Sequence, residues 1–119
     1  MKDDPESIVT ILRFCGSIRT TMDHFGYDEE DFLENEIYQN SCCFAIEQIG
    51  EAVKRMPFFI TNAHPEVEWS KIAKMRDFIA HSYWKADMYK LWVTLNREIP
   101  ELESKCASIL EKLRKEDRD

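Results

Sequence analysis

Glycine and proline are scarce in this chain, three and four among 119 residues. That scarcity excludes architectures built on many tight turns, because hairpins and sandwiches draw on both residues at their corners. No apolar run approaches the ~20 residues that a membrane-spanning helix needs. The first residues lack the charged-then-apolar order of a secretion leader, so a cytoplasmic protein without membrane contact is expected. An excess of positive charge is also missing. The formal net charge of -7 argues against a generic nucleic-acid coating protein, whose affinity comes from neutralising many phosphates. Metal-ligand patterns are absent too: His24, His64 and His81 are scattered, with neither an H-E-x-x-H sequence nor a carboxylate cluster of metal spacing. Cys15, Cys42, Cys43 and Cys106 include no C-x-x-C pair, and the neighbours Cys42 and Cys43 point to different sides of a helix, so four reduced core thiols are expected rather than a zinc site.

What is present is charge and apolar residues in helical order. The 33% of charged residues beside 44% of apolar ones favours an all-α fold, and 119 residues fit one domain, taken here as 1–119 with a frayed charged tail at 114–119. Ile8, Ile11, Cys15, Ile18, Met22 and Phe25 alternate spacings of three and four and form the stripe of a first helix stopped by Gly26. Asp28 is placed to cap a long second helix that carries Tyr38, Cys42, Ala45, Ile49, Ala52 and Met56 and ends at Pro57. Pro57 to Glu68 keeps no period and reads as a connecting loop, with room for one irregular turn. A third helix with Ile72, Met75 and Ile79 on its apolar face should end near Ser82 or Tyr83. Met88, Trp92, Leu95, Ile99, Leu102, Cys106, Ile109 and Leu113 continue one last stripe. Pro100 either kinks this helix or opens a second one that starts near Ile99. The expected architecture is an antiparallel bundle of four to five helices. Such stripes serve a core or a helical dimer interface, and periodicity does not separate the two.

The charge is polarised along the chain. Asp28, Glu29, Glu30, Asp31, Glu34, Glu36, Glu47 and Glu51 occur without any Lys or Arg among them, whereas Lys71, Lys74, Arg76, Lys85, Lys90 and Arg97 outnumber Asp77 and Asp87 further on. Within that basic segment Arg76-Asp77-Phe78-Ile79-Ala80-His81-Ser82-Tyr83 gathers three kinds of side chain suited to phosphate chemistry. An arginine neutralises charge on phosphate oxygens, a histidine moves a proton near neutral pH, and a tyrosine hydroxyl donates a hydrogen bond or accepts a modification. Lys74 and Lys85 are candidate contacts to an RNA backbone. Asp77 and His81, four apart, share a helix face, so the carboxylate is placed to orient the imidazole. Arg76 and His81, five apart, diverge by ~140°. Either the helix bends near His81 or a second subunit completes the site across a two-fold axis. Should they converge, the fitting reaction is RNA cleavage by the neighbouring 2′-hydroxyl, with no metal and no nucleophile from the protein. The residues also admit a plain alternative, a helix closing on a salt-bridged Arg-Asp pair with a histidine at its C-terminal dipole. Trp69, Trp84 and Trp92 flank the motif and belong either to the core or to a base-stacking surface.

The order R-x-x-x-x-H-x-Y resembles the HepT-like toxin branch of the HEPN superfamily. So do Ile49-Gly50-Glu51-Ala52, Trp69, Asp87, Trp92 and Ile99-Pro100-Glu101-Leu102 in their order around it. The resemblance runs from about Glu29 to Leu113. It implies an all-helical protein dimerising around the motif helix and a ribonuclease toxin with Arg76 and His81 as the catalytic pair. It also implies a small nucleotidyltransferase antitoxin that uses ATP and magnesium to attach AMP to Tyr83, the chain itself needing no cofactor. Asparagine often follows the motif arginine in that branch; Asp77 stands here. Gly50 and Glu51 match the branch's helical signature and are assigned packing and helix-surface roles, Gly50 permitting a close helix crossing. A second reading is a non-catalytic helical dimer that presents nucleotide or substrate to a nucleotidyltransferase.

Overall fold

The computed structural model describes residues 4–118, with Trp84 and Arg118 described by their backbone alone. Among the described residues all regular structure is helical. Helix α1 spans Glu6–His24, α2 Glu29–Glu34, α3 Glu36–Lys54, α4 Phe58–Ala63 and α5 Trp69–Ser82. A 3-10 turn Tyr83–Lys85 follows, then α6 Met88–Val93, a wide π turn Thr94–Glu98 and α7 Ile99–Arg118. The bundle rests on α1, α3, α5 and α7. Helix α3 is its centre, packed on α1 along one side and α5 along the other, with α7 closing against α1.

The apolar stripes become the core as their spacing requires. Ile8, Ile11, Cys15 and Ile18 of α1 are fully buried, as are Tyr38, Cys42, Ile46 and Ile49 of α3 and Leu95, Cys106 and Ile109 at the α7 end. All four cysteines are free and buried, and burial pushes each thiol up to about 12, which keeps them protonated and inert. Phe25 stacks on Tyr38 at 4.4 Å, and Trp92 lies 5.3 Å from Phe32, so Trp92, partly buried, packs against the core. The indole of Trp69 donates to the His64 carbonyl at 3.0 Å, which likewise ties it to the fold. The Trp84 side chain lies outside the described residues.

Helix ends follow local chemistry. Gly26 takes φ 74° and ends α1 in a Schellman turn, with the Tyr27 amide on the Met22 carbonyl at 2.9 Å and that of Gly26 on Asp23 at 3.1 Å. Asp28 caps the next helix through the Glu30 amide. That helix stops at Glu34, six residues on, which corrects the expectation of one long second helix. Asn35 adopts an extended backbone and caps α3 through the Tyr38 amide. The buried Gln39 amide meanwhile donates to the carbonyls of Phe32 and Leu33 that the break leaves open.

One more expectation is corrected. The segment after Pro57 is no plain loop: α4 forms because Ile60 is buried and the Pro57 carbonyl receives the amides of Ile60 and Thr61. The charged tail continues α7 to Arg118. Its Arg114 grips Asp4 with two bonds of 3.1 and 2.8 Å; Asp119 lies outside the described residues. Pro100 sits in the first turn of α7. Lacking an N–H, it gives the Asn96 carbonyl no ordinary helical donor, and the wide turn just before it absorbs that misfit.

Candidate functional site

Helix α5 meets α3 where α3 has no side chain. A Cβ built on Gly50 would fall 2.0 Å from Cβ and 2.4 Å from Cγ of Arg76, far inside contact distance, so the stem of the motif arginine lies directly on Gly50. The close crossing expected of Gly50 is present, and the residue that it admits is Arg76. Gly50→Ala is expected to force α5 outward. Overpacking of about 1–3 kcal/mol outweighs alanine's gain of ~1 kcal/mol in helix propensity. Thermal unfolding followed by circular dichroism should show a midpoint roughly 5 °C lower; an unchanged midpoint would place the crossing elsewhere.

The Arg76 guanidinium is fixed by charges from both helices. Its Nη2 forms an ion pair with Glu51 Oε1 at 2.9 Å and its Nη1 donates to Asp77 Oδ1 at 3.2 Å. Lys54 donates to the same Asp77 oxygen, and Arg55 approaches Glu51 at 3.9 Å. Five charges thus alternate in sign, Arg55, Glu51, Arg76, Asp77, Lys54, with Glu51 and Lys54 from α3, Arg55 just past its end and two from α5. The Nε of Arg76 is buried without a partner. The Lys54 bond, opposed by burial and assisted by Arg76, holds the Asp77 carboxyl below its usual range.

This network corrects two expectations. Asp77 does not hold His81: its carboxylate turns to Lys54 and Arg76, because two cations at bonding distance outcompete one imidazole a helical turn away. Glu51 is more than helix surface, since it anchors the motif arginine. His81 lies in the last turn of α5 and is exposed. Arg76 therefore packs toward α3 while His81 faces solvent.

Tyr83 opens the 3-10 turn just past α5 and is half-buried. Its hydroxyl donates to Asn40 Oδ1 of α3 at 2.5 Å. Burial, then Cys43 and Glu36, push the phenol above its ordinary value, so at neutral pH it keeps its proton. Lys74 and Lys85 are both exposed. The other histidines are placed apart from the motif: His24 meets the Phe25 ring edge-on at 4.9 Å and His64 sits 3.0 Å from Glu66.

Sequence reading missed Asn40 and Lys54 and undervalued Glu51. Asn40, Glu47, Glu51 and Lys54 fall on one face of α3 at spacings of seven, four and three, a polar stripe beside the apolar one and visible in the sequence. Which helix that stripe faces is not visible there. Among the described residues no three His, Cys, Asp or Glu gather as a metal cluster, and no helix is long and apolar enough to cross a membrane. An open groove is lined by Val67, Trp69, Lys71 and Lys74, and a cleft between α5 and α7 by Ile72, Met75 and Leu102. Neither includes Arg76, His81 or Tyr83.

The family model described as ribonuclease HepT-like matches residues 11–109. The "Probable ribonuclease HepT" of Thermococcus cleftensis is 42% identical over 86 residues, 72% of this chain and 74% of that one. A protein of Caldanaerobacter subterraneus subsp. tengcongensis, named as a presumed RNase, is 38% identical over 87 residues, 73% of this chain and 78% of that one. One from Methanocaldococcus jannaschii, named in the same terms, is 28% identical over 118 residues, 99% of this chain and 96% of that one. No solved structure matches.

Proposed function

The chain belongs to the ribonuclease HepT-like family, and from that premise we propose that it is a metal-independent endoribonuclease toxin that acts in the cytoplasm as a homodimer. The observation that carries this reading is the split of one motif over two faces of α5, with Arg76 anchored against α3 and His81 exposed on an open surface. A second copy set against this surface would bring a histidine of one chain to the arginine of the other. The exposed Phe78, between the two in sequence, offers apolar area to such a contact.

In the reaction, the 2′-hydroxyl of the RNA loses its proton to one His81 imidazole and its oxygen attacks the adjacent phosphorus. The bond from phosphorus to the 5′-oxygen breaks, and that oxygen takes a proton from an imidazolium. The products are a 2′,3′-cyclic phosphate and a 5′-hydroxyl, with atoms and protons balanced. Arg76 neutralises the charge that grows on the non-bridging oxygens. Lys74 and Lys85 are assigned to the flanking RNA backbone. The purified protein is expected to cut RNA in excess EDTA and to leave cyclic-phosphate ends, read by mass spectrometry of the fragments. Activity abolished by EDTA, or 3′-hydroxyl ends, would reject this mechanism.

The second half of the proposal is control at Tyr83 by a small nucleotidyltransferase antitoxin. The phenol oxygen would attack the α-phosphorus of ATP, held with magnesium by the partner, pyrophosphate would leave, and the phenol proton would pass to a base of the partner. The raised phenol makes that base necessary. An AMP group at Tyr83, at the end of the motif helix, would add bulk and negative charge where RNA must approach.

A further inference from the structure

Two cations from different helices converge on one oxygen. Nζ of Lys54 in α3 and Nη1 of Arg76 in α5 both donate to Oδ1 of Asp77. A single anionic oxygen between an ammonium and a guanidinium is also how a non-bridging phosphate oxygen is held. Resting on the reading that this chain acts on RNA, we propose that Lys54 and Arg76 form a two-cation cradle for an RNA phosphate, which Asp77 occupies in the free protein as an internal stand-in that RNA displaces.

Four observations support the assignment. Arg76 does not depend on Asp77 for its position, because Glu51 holds its other nitrogen at 2.9 Å and Gly50 fixes its stem. Once the stand-in leaves, the guanidinium stays in place. Asp77, in contrast, has among the described residues no hydrogen-bond or ion-pair partner besides these two cations. With its side chain 48% exposed, it can rotate to solvent when a stronger anion arrives. Lys54 is 39% exposed and reachable from outside. Finally, the carboxyl is held low, so at neutral pH the exchange is anion for anion, without a protonation step. In a chain of net charge -7, RNA has to be attracted by a local arrangement of this kind, and the stand-in sets how readily it opens.

The test uses the full-length protein and a fluorescent, uncleavable 2′-O-methyl RNA. Binding is followed by anisotropy over a salt series, cleavage of unmodified RNA is measured in parallel, and circular dichroism melts confirm folding. Asp77→Asn keeps the shape and removes the charge, and should tighten binding by roughly five-fold and lower KM more than it changes kcat. Lys54→Gln should weaken binding by about ten-fold and reduce the salt slope by about one, whereas Lys54→Arg should retain both. In the double variant the gain from Asp77→Asn should shrink. Glu68→Gln, which removes an exposed carboxylate near the motif helix, should stay within about two-fold of the parent.

If Asp77→Asn fails to tighten binding, or Lys54→Gln keeps the parent's affinity and slope, the cradle is wrong even where the parent cuts RNA. The absence of any RNA binding overturns it as well. If the variants follow the expected pattern while no form cuts unmodified RNA, the cradle stands and the ribonuclease reading falls.

Discussion

Replacing His81 by alanine is expected to slow RNA cleavage by about 10²- to 10⁴-fold, the range contributed by a positioned proton-transfer group. The side chain is exposed in the last turn of α5. Its removal should shift stability by no more than ~0.5 kcal/mol, so the loss of rate is not a loss of fold. No other histidine is placed to substitute, since His64 is tied to Glu66 and His24 packs against Phe25 at the end of α1. Initial rates on a labelled RNA, set beside a melting curve for each protein, make the measurement. A variant that cuts as fast as the parent removes His81 from the chemistry. In cells, the same substitution should abolish growth inhibition by the overproduced chain.

The second large effect is at Tyr83. Tyr83→Phe deletes the oxygen that would accept AMP, so incorporation at this position should fall to zero rather than merely decline. Intact-mass spectrometry after incubation with the partner nucleotidyltransferase, ATP and magnesium should show added AMP on the parent and none on the variant. Label on both proteins would sink the assignment. The lost hydrogen bond to Asn40 costs about 0.5–1.5 kcal/mol, so the variant stays folded. Because Tyr83 takes no proton in the proposed cleavage, the variant should cut RNA within a few-fold of the parent and should escape neutralisation. A comparable loss of cleavage in Tyr83→Phe and His81→Ala would instead make the phenol part of the reaction.

The elements that were legible in the sequence are those where a side chain's role depends on its own helix. The stripes from Ile8 to Met22 and from Tyr38 to Ala52 lie in the core, Asp28 and Gly26 do the local work of cap and stop, and Pro100 falls in the first turn of α7. The misreadings arose where a distant contact decided. Asn35 breaks the expected long helix because Gln39, itself buried, is available to take the carbonyls that the break exposes. Helix α4 exists because Ile60 finds the core, which no local period announces.

By itself the sequence determined the all-helical fold, the positions that would be buried, and the motif residues, together with the ~140° by which Arg76 and His81 diverge, because each of these follows from the 3.6-residue turn and from side-chain chemistry. What the charges do is settled by contacts between helices. Asp77 sits one turn from His81 on the same helix, yet α3 places Lys54 and Glu51 beside the motif arginine and draws the carboxylate away. Coulombic and hydrogen-bond preference depends on distance across the crossing, and that distance is set by the missing side chain of Gly50.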